Sequence, residues 1–273
     1  MNQDSSSTHF QKNHTAVLFL PAPPDSGWYL KGIAGVPFLL RNILTLQKLG
    51  VEKLVVWAEE PIQEREMLLD SIKTDERLQL KIDWVNKESF SSILNTSSFL
   101  IFDGSILLSE CVGKMVRITA DNSGPFPEEL MQYFDNKEVY SFKSESLEQP
   151  ELLLDKTDFY EAEKRLLKSC GLNNDSFMDR LITRFISRQL TSLFLKTSFT
   201  PNQITCLSLF IGLASALCFF LGGHGMGILG SVLLLVSAWV DCADGEVARL
   251  KFMTSEWGAK LDIVSDNIVH CSV

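Results

Sequence analysis

The sequence predicts a Rossmann-like, doubly wound α/β domain followed by an α-helical transmembrane domain. Three observations carry this. Short β-type runs alternate with helical patterns from Ala16 onward, as in successive βαβ units. From about Ile204 apolar residues crowd together, and charges nearly vanish until Asp241. Between the two parts, Asp175 to Thr197 is amphipathic, with Arg180, Arg184 and Arg188 recurring every four residues on one face. The 273 residues leave room for one globular domain plus a membrane part, and the 45% hydrophobic and 22% charged residues are segregated accordingly. The expected division is a polar, disordered N-terminus over 1–15, the α/β domain over 16–150, a linker with an amphipathic juxtamembrane helix over 151–200, and an incomplete membrane domain over 201–273.

Taken in order, Ala16 to Leu20 reads as a buried strand ending at Pro21, and Pro21 to Pro37 as a long loop. Phe38 to Leu49 has helical periodicity, with Phe38, Leu39, Ile43 and Leu46 on one side and Gly50 as a stop. Lys53 to Trp57 is a second strand and Pro61 to Leu69 a second helix. Leu78 to Val85 and Ser98 to Phe102 are further strands, with a helix expected from Leu107 to Val116. Asn122 to Leu154 is irregular and reads as a sheet edge and a connector, and Phe159 to Cys170 as a helix.

The arginine-bearing helix suits a cytoplasmic membrane surface, where guanidinium groups meet lipid phosphates. Pro201 then opens a helix at the position proline prefers. Ile204 to Leu221 is apolar apart from Thr205, Cys206, Ser208, Ser215 and Cys218, and is long enough to cross a bilayer. Gly222 to Gly225 is a tight turn, and Met226 to Val240 returns as a second apolar helix. Arginines precede the first span while Arg249 and Lys251 follow the second, which places both outer ends in the cytoplasm. The polar start, without an apolar core after a basic stretch, predicts no cleaved secretory signal and a cytoplasmic front domain. Gly258 to Val273 stops short of spanning length, and the sequence ends in mid-helix.

A net charge of −9 excludes broad nucleic-acid binding, which needs a basic surface. The six cysteines have no CxxC spacing and read as buried free thiols. The four histidines have no metal-ligand spacing. Trp28, Trp57 and Trp84 suit core or loop packing, while Trp239 and Trp257 suit the membrane interface.

The chemistry concentrates after the second span. Asp241, Asp244, Gly245, Ala248 and Arg249 are followed after eight residues by Gly258, then Asp262 and Asp266 at four-residue steps. At about 100° per residue, Asp241, Asp244, Gly245 and Ala248 share one helix face. Gly258, Asp262 and Asp266 make a stripe on the next helix, so two antiparallel helices aim four carboxylates into one cleft. Such an oxygen set suits Mg²⁺ or Mn²⁺, and Mg²⁺ held by few carboxylates completes its shell with phosphate oxygens. The small residues admit a diphosphate to the helix backbone, and Arg249 can fork onto phosphate oxygens.

The spacing D-x2-D-G-x2-A-R-x8-G-x3-D-x3-D resembles the signature of the CDP-alcohol phosphatidyltransferase family at all eight fixed positions. The resemblance implies transfer of the phospho-alcohol group of a CDP-alcohol to an acceptor alcohol, with release of CMP. It implies that Asp241, Asp244 and Asp262 hold two metal ions, completed by Asp266, which is also the implied general base. It places Asn202, Thr205, Gly245, Ala248, Arg249, Ser255 and Gly258 around the CDP group. It further implies a multi-pass membrane protein that pairs as a homodimer. The family fold has six membrane helices, whereas this chain holds two and the beginning of a third, so the resemblance implies a fragment of a longer protein.

In the front part, Gly35 to Arg41 followed by Leu49 to Val56 resembles the nucleotidyltransferase fold of sugar-phosphate activating enzymes, and Phe99 to Gly104 sits where those enzymes place a metal-binding aspartate, here Asp103. Pro21 to Gly27 replaces their glycine-rich loop, and prolines supply no amides to cradle a triphosphate. A degenerate, non-catalytic domain is therefore expected. The combination resembles bifunctional inositol-phosphate cytidylyltransferase and di-myo-inositol-phosphate-phosphate synthase, which would make the acceptor a polyol phosphate. Two other readings stay open: a bifunctional enzyme that also forms the CDP-alcohol from CTP, and an inactive membrane-tethered protein.

Overall fold

The structure is a computed structural model and describes residues 14–58, 65–85, 98–108, 114–119, 140–141, 156–169 and 184–273. The chain divides into two compact units, one built from the chain up to Phe159 apart from Ala34–Val36, and the other from Tyr160 onward together with Ala34–Val36.

In the first unit, β1 (His14–Leu20) feeds a short ribbon of β2 (Gly32–Ile33) and β3 (Val36–Pro37), then helix α1 (Phe38–Lys48) and strand β4 (Val51–Ala58). Helix α2 (Arg65–Lys73) leads to β5 (Lys81–Val85), and β6 (Ser98–Asp103), β7 (Lys114–Thr119) and β8 (Tyr140–Ser141) follow. Among the described residues, six strands form one sheet in the order β5-β4-β1-β6-β7-β8. The β5, β4, β1 and β6 neighbours are parallel, with Val17 opposite both Val55 and Ile101. Ala16, Val17, Leu18 and Leu20 are fully buried, as the continuous apolar run of a central parallel strand requires. The run from Pro21 to Pro37 is not all loop: it holds a single 3-10 turn, Trp28–Leu30, and the β2–β3 ribbon.

Of the helix expected from Leu107 to Val116, the described residues at 107–108 and 114–116 are not helical. Asn42, fully buried on α1, donates to the Ile106 carbonyl at 2.9 Å and accepts from the Leu108 amide at 2.9 Å, which ties this backbone to α1. Residues 114–116 then belong to β7, which pairs antiparallel with β6, and β8 pairs in turn with β7 at the sheet edge. The strand expected from Leu78 begins at Lys81, because Gln47 of α1 accepts from the amides of Gln79 and Leu80 at 2.7 and 3.1 Å and keeps them out of the ladder. Residues 61–64, 109–113, 122–139, 142–154 and 175–183 of the expected elements lie outside the described residues, as do Cys111, Cys170 and Arg180.

The second unit is helical: α3 (Lys156–Ser169), α4 (Arg184–Leu195), α5 (Pro201–Leu221), α6 (His224–Leu250) and α7 (Glu256–Ser272). Helices α5 and α6 have 21 and 27 residues, and the most apolar 18-residue stretch of each has a mean hydropathy of 2.3 and 1.9, so each is long and apolar enough to cross a membrane. Their turn needs only Gly222 and Gly223, both at positive φ (67° and 90°), and His224 already opens α6. The hydroxyls that interrupt the apolar runs bind across the pair. Ser237 Oγ donates to the Ser208 carbonyl at 2.8 Å and Ser215 Oγ to the Gly230 carbonyl at 2.7 Å. Helix α7 seats Val269 against Gly212, where an added Cβ would come within 2.5 Å of a Val269 methyl. The expectation of buried thiols fails for Cys206 and Cys271, which are exposed because each falls on the outer side of its helix.

Candidate active site

Pro201 starts α5, and Gln203 Oε1 accepts from the Thr200 amide at 3.0 Å, closing the first turn. This sets Asn202 and Thr205 toward the last turns of α6. Two α5 hydroxyls there meet two α6 carboxylates in antiparallel register. Thr205 Oγ1 donates to Asp244 Oδ2, and Ser208 Oγ lies 3.2 Å from Asp241 Oδ1. Spacings of three on both helices make this match, since each step is close to one helical turn.

Helix α6 ends at Leu250, and Phe252, at a φ of 54°, turns the chain into α7. Ser255 caps α7, its Oγ accepting from the Gly258 amide at 3.0 Å. Helix α7 thereby returns Asp262 to α6. One carboxylate oxygen from each of Asp241, Asp244 and Asp262 lies within 4.8 Å of the other two. Asp244 is buried, while Asp241 and Asp262 are half-buried. Asp266 stands one turn beyond Asp262, exposed and outside this triplet. Three hard oxygen ligands so close in a partly desolvated cleft fit a divalent cation, because like charges at this separation otherwise repel strongly.

A pocket opens beside the triplet. It is lined by Asn202, Thr205, Gly245, Ala248, Arg249, Ser255 and Gly258, together with Asp244 and Asp262. An added Cβ at Gly245 would meet only the Arg249 guanidinium, at 3.6 Å, so the helix backbone there faces open pocket. At Gly258 it would meet Ser255 Oγ at 3.1 Å and Asn202 Oδ1 at 3.2 Å, which makes this glycine a contact point between the starts of α5 and α7. Pro201, Met253, Thr254 and Ala259 also line the pocket and are not among the site residues expected from the sequence. Ser208 was passed over as a tolerated polar residue of a span; its position three after Thr205 was the available signal. Lys251 does not face the pocket wall. It is buried, and its Nζ donates to the Thr197 and Phe199 carbonyls at 3.2 and 3.4 Å.

The family model described as CDP-alcohol phosphatidyltransferase matches residues 198–273. The chain is 38% identical over 114 residues to a protein of Aquifex aeolicus named "Bifunctional IPC transferase and DIPP synthase", covering 41% of this chain and 25% of that protein. A protein of the same name from Thermococcus kodakarensis is 33% identical over 98 residues, 36% of this chain and 22% of its own length. The Archaetidylinositol phosphate synthase of Pyrococcus horikoshii is 34% identical over 74 residues, 27% of this chain and 38% of its own length. The chain thus spans well under half the length of each of these relatives. Among solved structures, HddC from Yersinia pseudotuberculosis is similar over 34% of this chain and 48% of its own, with 17% identity and a TM-score of 0.29, too slight an overlap to bear on the fold. The family match and the carboxylate-lined pocket fall on the same helices, and residues 198–273 are a CDP-alcohol phosphatidyltransferase domain.

Proposed function

We propose that this protein is a multi-pass membrane phosphotransferase that moves the phospho-alcohol group of a CDP-alcohol onto an acceptor alcohol and releases CMP. The observation that carries the proposal is the meeting of Asp241, Asp244 and Asp262 beside the Gly245–Arg249 pocket. In this reading Asp241, Asp244, Asp262 and Asp266 hold two Mg²⁺ or Mn²⁺ ions, which when bound polarise the diphosphate oxygens. Gly245 and Ala248 admit the diphosphate to the α6 backbone, and Arg249 forks onto its oxygens. Asn202, Thr205, Ser255 and Gly258 surround the rest of the CDP group. Asp266 takes the proton of the acceptor hydroxyl as its oxygen bonds to the phosphorus bearing the donor alcohol. The bond from that phosphorus to the bridging oxygen breaks, and CMP leaves with the electron pair.

Helices α5 and α6 cross the bilayer in this reading, with the site and the front part on the cytoplasmic side, and copies pair through membrane helices. The acidic chain binds no nucleic acid. The relatives named for archaetidylinositol phosphate and DIPP synthesis favour a polyol-phosphate acceptor. Residues 16–150 are a nucleotidyltransferase-like, doubly wound domain without catalysis of its own, joined through 151–200 to the membrane domain at 201–273. Two observations support its inactivity. Asp103 Oδ1 is taken up by Ser105, whose amide and hydroxyl donate at 2.8 and 2.6 Å. The carboxyl edge between β1 and β6, where such sheets bind nucleotides, is closed: the Gly104 amide donates to the Phe19 carbonyl at 2.6 Å, and a Cβ at Gly104 would come within 2.4 Å of Leu20.

The test is CMP release by membranes carrying the gene product expressed to its natural stop codon, given CDP-diacylglycerol or CDP-inositol and a panel of acceptor alcohols. Stimulation by one acceptor, lost in Asp266→Asn, is the expected result. CTP consumption in the presence of a polyol phosphate would instead favour the bifunctional enzyme.

A further inference from the structure

Glu246 follows Gly245 in the carboxylate motif, yet it belongs to none of the groups just described. Two residues past Asp244, it lies about 200° around α6 from it, on the helix face turned away from the pocket. The same face carries Val240, Ala243, Val247 and Leu250, all buried in a cluster with Phe194 and Leu195 of α4. Glu246 is fully buried in this apolar setting, where a carboxylate is costly unless its oxygens are bonded. They are. Ser187 Oγ lies 3.3 Å from Oε1, and Thr191 Oγ1 donates to Oε2 at 2.7 Å. Both hydroxyls are fully buried and stand one turn apart on α4. An apolar side chain would fill this space at less desolvation cost but would accept several helix registers. A carboxylate gripped by two hydroxyls accepts one.

Lys251 adds a second polar tie five residues on, through the carbonyls of Thr197 and Phe199 just past the end of α4. Glu246 and Lys251 thus bracket the turn that presents Ala248 and Arg249 to the pocket. We infer that Glu246 is a positioning residue: its clasp with Ser187 and Thr191 fixes the rotation of the last turn of α6, so that Gly245 and Arg249 meet the diphosphate of the donor. This rests on the transferase reading above. The clasp lies farther from Asp241, so its loss weakens donor binding more than the transfer step.

The experiment uses the detergent-purified gene product with CDP-alcohol donor, comparing wild type with Thr191→Val and with the volume-conserving triple variant Ser187→Ala, Thr191→Val, Glu246→Met. The expected result is a donor KM raised about tenfold in the triple variant with kcat within about threefold. Thr191→Val alone raises KM by about threefold. Wild-type kinetics in either variant would overturn the inference. A thermal cycle keeps it testable without activity: Thr191→Val lowers Tm in the wild-type background and not in the Glu246→Met background. An equal shift in both backgrounds would show that there is no clasp. Absence of CMP release from the wild-type protein would sink the transferase reading and leave this cycle to decide the clasp.

Discussion

Thr205 and Ser208 on α5 face Asp244 and Asp241 on α6, so two hydroxyls orient the oxygens proposed to hold metal. Groups that orient metal ligands are worth about 10–100-fold in affinity or activity. Thr205→Val with Ser208→Ala should therefore weaken Mn²⁺ binding, read by electron paramagnetic resonance, by a factor in that range while the protein stays folded. Unchanged Mn²⁺ affinity would detach the hydroxyls from the site. Gly245 separates site from stability in another way. Alanine there gains about 1 kcal/mol of helix propensity and meets only ordinary contact with Arg249. Gly245→Ala should hold or raise Tm while raising the donor KM at least about tenfold, as steady-state kinetics would show. The carboxylates and small residues were legible because their spacing names a helix face. Ser208 and Glu246 were not. A serine in a span and a glutamate inside a motif acquire meaning only when the neighbouring helix is in place.

At the scale of elements, hydrophobic period located most helices and parallel strands to within a few residues. Misreadings arose where side chains claim backbone groups. Asn42 holds the segment at 106–108 out of a helix, and Gln47 keeps Gln79 and Leu80 out of β5. Neither bond has a signature in the local period. The turn between α2 and β5 also carries a testable ion pair. Arg77 Nε lies 2.8 Å and its terminal nitrogen 2.5 Å from the two oxygens of Asp75, and this hydrogen bonding holds the Asp75 carboxyl below its ordinary value against the opposing effect of burial. The folded value is therefore lower than the unfolded one, near 3.9. The pair stabilises fully above the unfolded value, and its contribution is lost as pH falls through the lower folded value. Asp75→Asn should lower Tm at pH 7 by a few degrees, with the gap to wild type closing below about pH 4 in thermal melts. A gap independent of pH would exclude the pair as its source.

For the whole molecule, segregation of charge from apolar sequence foretold a sheet-bearing part and a helical part with two long apolar helices. The mixed sheet was less legible. Strand direction depends on connections of which 86–97 and 109–113 lie outside the described residues, and the antiparallel β7 and β8 follow from pairing rather than from composition. The central claim is that the carboxylates joining α6 to α7 perform metal-dependent transfer. Its most direct test is the rate of CMP release from a CDP-alcohol by the full gene product in membranes, with and without Mg²⁺, for wild type and Asp241→Asn. The account predicts release that stops on chelation, returns with Mg²⁺ or Mn²⁺, and falls at least about a hundredfold in Asp241→Asn. Release that survives both chelation and Asp241→Asn would contradict it.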